Sequence, residues 1–270
     1  MRASLSMAKP SDLEDRNHPG SETRDIGGID IAVKERETAI ADILDAVETG
    51  RHLKLAFCNA NLVNVAAGDA GLRDRLSDFM MLPDGIGVDI GSRLLYGAPF
   101  PSNLNGTDFF PDLFARSERP LHVALLGGKP GVPDRAAEQL AKSYPAHRFS
   151  VVSHGYYEPS EEKQLIEGLK AERPDLLLVA MGNPLQERFI ADRLASQHAS
   201  VAAGVGALFD FLAGEVSRAP KAVRKARLEW AYRLWLEPAR LWRRYVVGNP
   251  IFLLRMVWQY VRDGQARVSR

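Results

Sequence analysis

The sequence predicts an α/β fold: a Rossmann-like, mostly parallel sheet flanked by helices, carrying a basic amphipathic helical C-terminal appendage. Three observations lead there. Short apolar runs recur ("LKLAFC", "FMML", "LHVALLG", "RFSVVS", "DLLLVAMG" and "SVAAGVG"), and amphipathic stretches of helical length separate them. That rhythm is the signature of βαβ units. The turns that follow are rich in glycine and asparagine, as in "CNAN", "PDGIG", "LLGGKPG", "MGNPLQE" and "AGVGALFD". They fall at the carboxyl ends of the strands, where open sheets of this kind bind ligands. Past Pro220 the composition shifts to arginine and tryptophan, and the sheet pattern stops.

Taken in order, residues 1–25 are polar and aperiodic and read as a disordered tail. "ERETAIADILDAVETG" then places Ile40, Ile43, Leu44 and Val47 at helical spacing and stops at Gly50. Residues 26–217 form the predicted core and 218–270 the appendage. A chain of 270 residues suits one large domain with such an addition. The single cysteine, Cys58, excludes an internal disulfide and reads as a buried thiol. No run reaches the roughly 18–20 apolar residues of a membrane span, and the start lacks the layout of a signal peptide. A cytoplasmic protein is the expectation.

The net charge of +1 conceals an asymmetry: residues 218–270 hold thirteen Lys/Arg against three Asp/Glu. A segment of that sign suits an anionic partner. In its last helix Ile251, Leu254, Trp258 and Val261 form one stripe, and Arg255, Gln259 and Arg262 another. A basic helix with aromatics can cap a domain or lie in a membrane interface. The many neighbouring cations, each worth about 1 kcal/mol near an anionic leaflet, favour the membrane.

Several positions invite a chemical reading. Asp84, in "LPDGIGVDIG", is either a turn acid capping the helix near Ile86 or a general base on a pocket rim. "GTDFFPDL" reads as a helix start with Thr107 or Asp108 as cap. In "GNPLQERF", Asn183 is the expected cap, Pro184 the first helical residue and Gln186 the partner of a capping box. Gly127 and Gly128 follow a strand and can offer backbone amides to an anion, although Lys129 lacks the spacing of a phosphate-loop lysine. "AGVGALFD" has Phe209 where a dinucleotide fingerprint needs a small residue. The six histidines, His154 among them, show no metal-ligand spacing, and no Asp-x-Asp pair occurs. Neither a metal nor a cofactor is expected.

Taken together, "CNANLVNVA", "LPDGIGVDIG", "LNGTDF", "LLGGKPGV", "HGYY", "AMGNPLQERF", "GVGALFDFLAGEVSRAP" and "LEWAYRLWLEPARLWRRY" resemble the WecG/TagA/CpsF family of bacterial glycosyltransferases, from about His52 to Tyr245. The resemblance implies a Rossmann-like core and an appendage that helps hold the enzyme on the inner face of the cytoplasmic membrane. It also implies metal-independent, inverting transfer of a sugar from a UDP-sugar, UDP-N-acetylmannosamine or a relative, to an undecaprenyl-diphosphate-linked monosaccharide in polysaccharide assembly. By the same resemblance Asp84 matches the family's proposed base, and Asn59 and Gln186 match site residues. Two positions depart: Phe57-Cys58-Asn59 stands where many members have Thr-x-Asn, and Asn103 where they have arginine.

The expected substrate-binding set is therefore Asn59, Asn103, Gly106, Asp108, Gly127, Gly128, Gly182, Gln186 and Gly204. Arg218, Arg224 and Arg227 are expected to offset the charge on the leaving UDP. A homo-oligomer is compatible with the sequence. The competing readings are a non-catalytic lipid-linked-sugar binder, an NAD-type oxidoreductase and a nucleic-acid binder. The last has no accompanying motif.

Overall fold

The computed structural model describes residues 22–220, 222–223 and 227–268. Of the predicted tail, residues 1–21 and hence most of that expectation lie outside the described residues. Thr23–Asp25, by contrast, already form a strand (β1), which pairs antiparallel with β2 (Asp30–Ala32).

Six strands form the main sheet: β3 (Leu53–Cys58), β4 (Phe79–Pro83), β5 (His122–Gly127), β6 (Arg148–Ser153), β7 (Leu176–Ala180) and β8 (Val201–Gly204). Every pairing in it is parallel, in the order β4-β3-β8-β7-β5-β6. The strands alternate between two cores. Leu53, Leu55 and Phe57 of β3 face one, and Ala56 and Cys58 face the other. Burial on both faces explains why β3, β4, β5, β7 and β8 read as continuous apolar runs; the edge strand β6 has no buried residue.

Four helices cover the first face: α1 (Arg36–Thr49), α5 (Gly106–Arg116), α6 (Val132–Ser143) and α9 (Leu208–Leu212). On the second lie α2 (Ala60–Ala67), α3 (Ala70–Leu76), α4 (Ile86–Tyr96), α7 (Glu162–Glu172) and α8 (Leu185–Arg193), together with the β1–β2 hairpin. Helix α1 ends on Gly50 in the left-handed conformation, as its sequence indicates. Adjacent strands β3 and β8 lead into helices on opposite faces, α2 and α9. This is a topological switch point, and it opens the edge between their loops.

The appendage continues as α10 (Glu229–Leu236), α11 (Pro238–Trp242), a π-helical turn (Arg243–Val247) and α12 (Gly248–Val268). Helix α12 folds back over α2 and α4, burying Phe252, Met256 and Gln259. Gln259 shares its sequence stripe with Arg255 and Arg262. It points inward because its amide accepts from the Gly27 N–H (2.9 Å) and donates to the Asp25 carbonyl (3.1 Å). Ile251, Leu254, Trp258 and Val261 remain exposed, with Leu254 at 70 % and Trp258 at 64 %.

Candidate active site at the carboxyl edge of the sheet

Asp84 follows directly on β4. Its N–H donates to the Cys58 carbonyl (2.8 Å), which continues the β3–β4 ladder one residue past the strand. Gly85 then turns the chain at φ +90°, a conformation that strains any residue with a Cβ, and α4 begins. The loop is clamped from outside. Asn103 Oδ1 accepts from the Gly85 N–H (2.8 Å) and the Pro83 carbonyl accepts from Leu104 (2.9 Å). The Asn103 carbonyl in turn accepts from Arg36 (2.9 Å).

With its backbone fixed in this way, the Asp84 carboxylate turns to Asn59 rather than into its own loop. Asn59 caps α2, its Oδ1 accepting from the Leu62 N–H (3.2 Å). That bond settles the orientation of the amide and directs Nδ2 at Asp84 Oδ2 (3.3 Å). The side chain of Asp84 caps no helix. Burial pushes its carboxyl above the usual carboxylate range; the Asn59 hydrogen bond and the charges of Arg244 and Arg233 pull it back, and Asp108 pushes it up.

Arg233 and Arg244, the cations that act on Asp84, come from α10 and the π-helical turn, and neither stood out in the sequence. Arg233 lies over the Phe211 ring (5.3 Å), as does Arg218 (5.8 Å). Arg218 also pairs with Asp108 (2.8 Å). Glu229 lies beside them: burial raises its pKa, while Arg218 and Arg233 lower it. Among the described residues, Arg218 Nε and Nη2, Arg233 Nε and Arg244 Nε are buried without an acceptor. Such donors are costly unless an anion completes them.

The other expected residues fall into distinct places. Arg227 is held by the buried Asp89 of α4, and so its charge is already partnered. Arg224 lies outside the described residues. The helix at Gly106 is capped by Asn105, whose Oδ1 accepts from the Asp108 N–H (3.0 Å), and not by Thr107 or Asp108. Asp108 accepts from Asn105 Nδ2 (3.1 Å). Phe57 packs edge-on to Phe109 and Phe110, and a Cβ on Gly106 would stand 3.0 Å from its ring. The departure at Phe57 is thus absorbed by the core. Cys58 is fully buried and its thiol is pushed far up by burial.

Along the edge, Gly182 and Gly204 lie against Gln186. Its Oε1 accepts from the Gly182 and Gly206 N–H groups (3.1 and 3.0 Å), and a Cβ on Gly204 would meet its amide at 2.8 Å. The capping expected here is not what forms. Pro184 takes the cap position with no side-chain bond, and Asn183 donates to Glu187 instead. Gly127 ends β5 and Gly128 follows it, four strand spacings or roughly 19 Å from Asp84. The Gly128 N–H is spent on the Ala180 carbonyl (2.8 Å). His154 accepts from the Tyr156 N–H in its own turn. Asp210 on α9, missed in the sequence, is raised by burial and lowered by Arg240, Lys129 and Arg233. Phe209 is fully buried in the core, which accounts for its place in the broken dinucleotide pattern.

Among the described residues no group of three or more His, Cys, Asp or Glu is placed to hold a metal ion, and no helix is long and apolar enough to cross a membrane. Two relatives share much of the sequence. The chain is 36% identical over 169 residues to a Bacillus spizizenii protein named N-acetylglucosaminyldiphosphoundecaprenol N-acetyl-beta-D-mannosaminyltransferase, covering 62% of this chain and 64% of the relative. It is 32% identical over 189 residues to the protein of the same name from Bacillus subtilis (strain 168), covering 67% and 72%. Residues 24–266 match the description "Glycosyl transferase WecG/TagA/CpsF family". With the parallel sheet, the edge loops and the placement of Asp84 in hand, the chain belongs to that glycosyltransferase family.

Proposed function

We propose that this chain is an inverting glycosyltransferase that moves a sugar of the N-acetylmannosamine type from a UDP-sugar to a polyprenyl-diphosphate-linked N-acetylglucosamine, with Asp84 as the general base. The observation that carries this reading is Asp84 held by Asn59 and faced by Arg233 and Arg244 at the switch point. The relatives' names supply the donor and acceptor sugars.

The acceptor hydroxyl attacks the anomeric carbon as Asp84 takes its proton. The bond from that carbon to the UDP oxygen breaks on the opposite side, and UDP leaves with the bonding pair. A base so placed contributes about 10²–10⁴-fold. The charge that develops on UDP is met by the unpaired guanidinium donors of Arg218, Arg233 and Arg244, without a metal. Arg233 and Arg244 thereby join Arg218 in the load that the sequence assigned to appendage arginines, in place of Arg227, which Asp89 already holds. The nucleoside lies along the edge past Gly204 and Gly182, toward Gly127 and Gly128.

The exposed row Ile251, Leu254, Trp258 and Val261 rests on a membrane surface and brings the site to a lipid-bound acceptor. Arg243 over Trp242 (5.4 Å) and Arg262 over Trp258 (5.1 Å) place cations beside exposed rings, an arrangement suited to anionic headgroups. The direct test incubates the protein with UDP-N-acetylmannosamine and a short-chain lipid diphosphate carrying N-acetylglucosamine. UDP release that requires both substrates is expected. UDP release without the acceptor, or no transfer across a wide panel of donors and acceptors, contradicts the reading.

A further inference from the structure

Glu187, in the first turn of α8, is fully buried, yet the chemistry above does not use it. One of its oxygens carries two contacts: Oε1 accepts from Asn183 Nδ2 (2.5 Å) and from Gln186 Nε2 (2.8 Å). The other, Oε2, has no partner among the described residues. Burial raises the pKa of this carboxyl, while the hydrogen bonds from Gln186, from its own backbone and from Asn183 lower it.

The consequence passes through Gln186. An amide can turn end for end, and only its partners decide which end faces where. Because Glu187 Oε1 takes the Nε2 end, Gln186 Oε1 is left to accept from Gly182 and Gly206, and one side chain ties the loop after β7 to the loop after β8. We propose that Glu187 is a positioning residue for the nucleotide donor: by accepting from Asn183 and Gln186 through a single oxygen it fixes both amides, and so holds the 182–184 and 204–206 loops in the shape that receives the nucleotide. This inference rests on the proposed donor site and makes Gln186 a residue that shapes the site through its loops.

The test compares UDP binding by titration calorimetry in the wild-type chain, Glu187→Gln and Glu187→Leu, with donor KM and kcat measured alongside. Glutamine keeps the accepting oxygen, whereas leucine removes it without opening a large cavity. Glu187→Gln is expected to bind UDP within about threefold of wild type. Glu187→Leu is expected to lose about tenfold or more, the loss appearing in donor KM with kcat at saturation within a few fold. A simple loss of fold would lower kcat and thermal stability together and would give no such split. Should Glu187→Leu not fold, Gln186→Leu takes its place, and the same tenfold loss is required of it. Two results overturn the inference: Glu187→Gln binding as poorly as the leucine variant, or the leucine variant binding like wild type. Wild-type protein that binds no UDP would instead overturn the donor assignment itself.

Discussion

At the scale of single residues, the proposed chemistry depends on what surrounds one carboxylate. Asp84 must be ionised to accept a proton, and burial raises its pKa, so the acid limb of kcat/KM is expected above the ordinary aspartate range. Arg244 lowers that pKa. Arg244→Gln is therefore expected to move the acid limb to higher pH, as a pH profile of kcat/KM would show; an unmoved limb would separate Arg244 from Asp84. Asn59 offers a sharper probe, because aspartate caps a helix about as well as asparagine. Asn59→Asp should fold normally while replacing a donor to Asp84 by a second carboxylate. A fall in turnover with an acid limb shifted upward is expected, at a melting temperature near wild type. Asp84 itself was readable, since an acid between proline and a glycine at positive φ belongs to a bend at a strand end. Arg233 and Arg244 were not, because tertiary folding alone brings the appendage over Asp84, and nothing local distinguishes them from the other arginines of the segment.

At the scale of elements, the strands were legible for a physical reason. A parallel sheet buried on both faces leaves uninterrupted apolar runs, and each one quoted became a strand of the main sheet. Helix starts were less so. The caps and box residue assigned around Gly106 and Pro184 were displaced, because Asn105 takes the backbone N–H at the first helix and Glu187 draws off the Asn183 and Gln186 amides at the second. Helix α12 shows the same limit. It has two periodic faces, and the one that packs inward includes the polar Gln259, which backbone bonds to Gly27 and Asp25 make acceptable in the interior. Replacing it by leucine leaves two backbone groups without partners, at about 1–3 kcal/mol. Gln259→Leu is expected to lower the melting temperature and to expose the α12 junction to limited proteolysis. Unchanged protection would show that Phe252 and Met256 dock the helix alone.

At the scale of the whole molecule, the basic appendage is one segment with two differently furnished sides. Its inner side delivers Arg233 and Arg244 to the carboxyl edge, and its outer side presents apolar residues between cations. If that outer side meets a membrane, sedimentation with vesicles containing anionic phospholipid should carry the protein down. Raising salt should weaken the association, and Leu254→Ser with Trp258→Ser should abolish most of it. Binding that ignores both changes would place the contact elsewhere. The charge asymmetry of the chain marked the appendage as a distinct basic segment, but the placement of its cations beside Asp84 emerges only from the fold. The most direct measurement of that arrangement is Asp84→Asn assayed twice, for sugar transfer to the lipid-linked acceptor and for UDP affinity. Transfer reduced at least about 100-fold with UDP affinity retained is the expected result; transfer near the wild-type rate would contradict the assignment of Asp84 as the base.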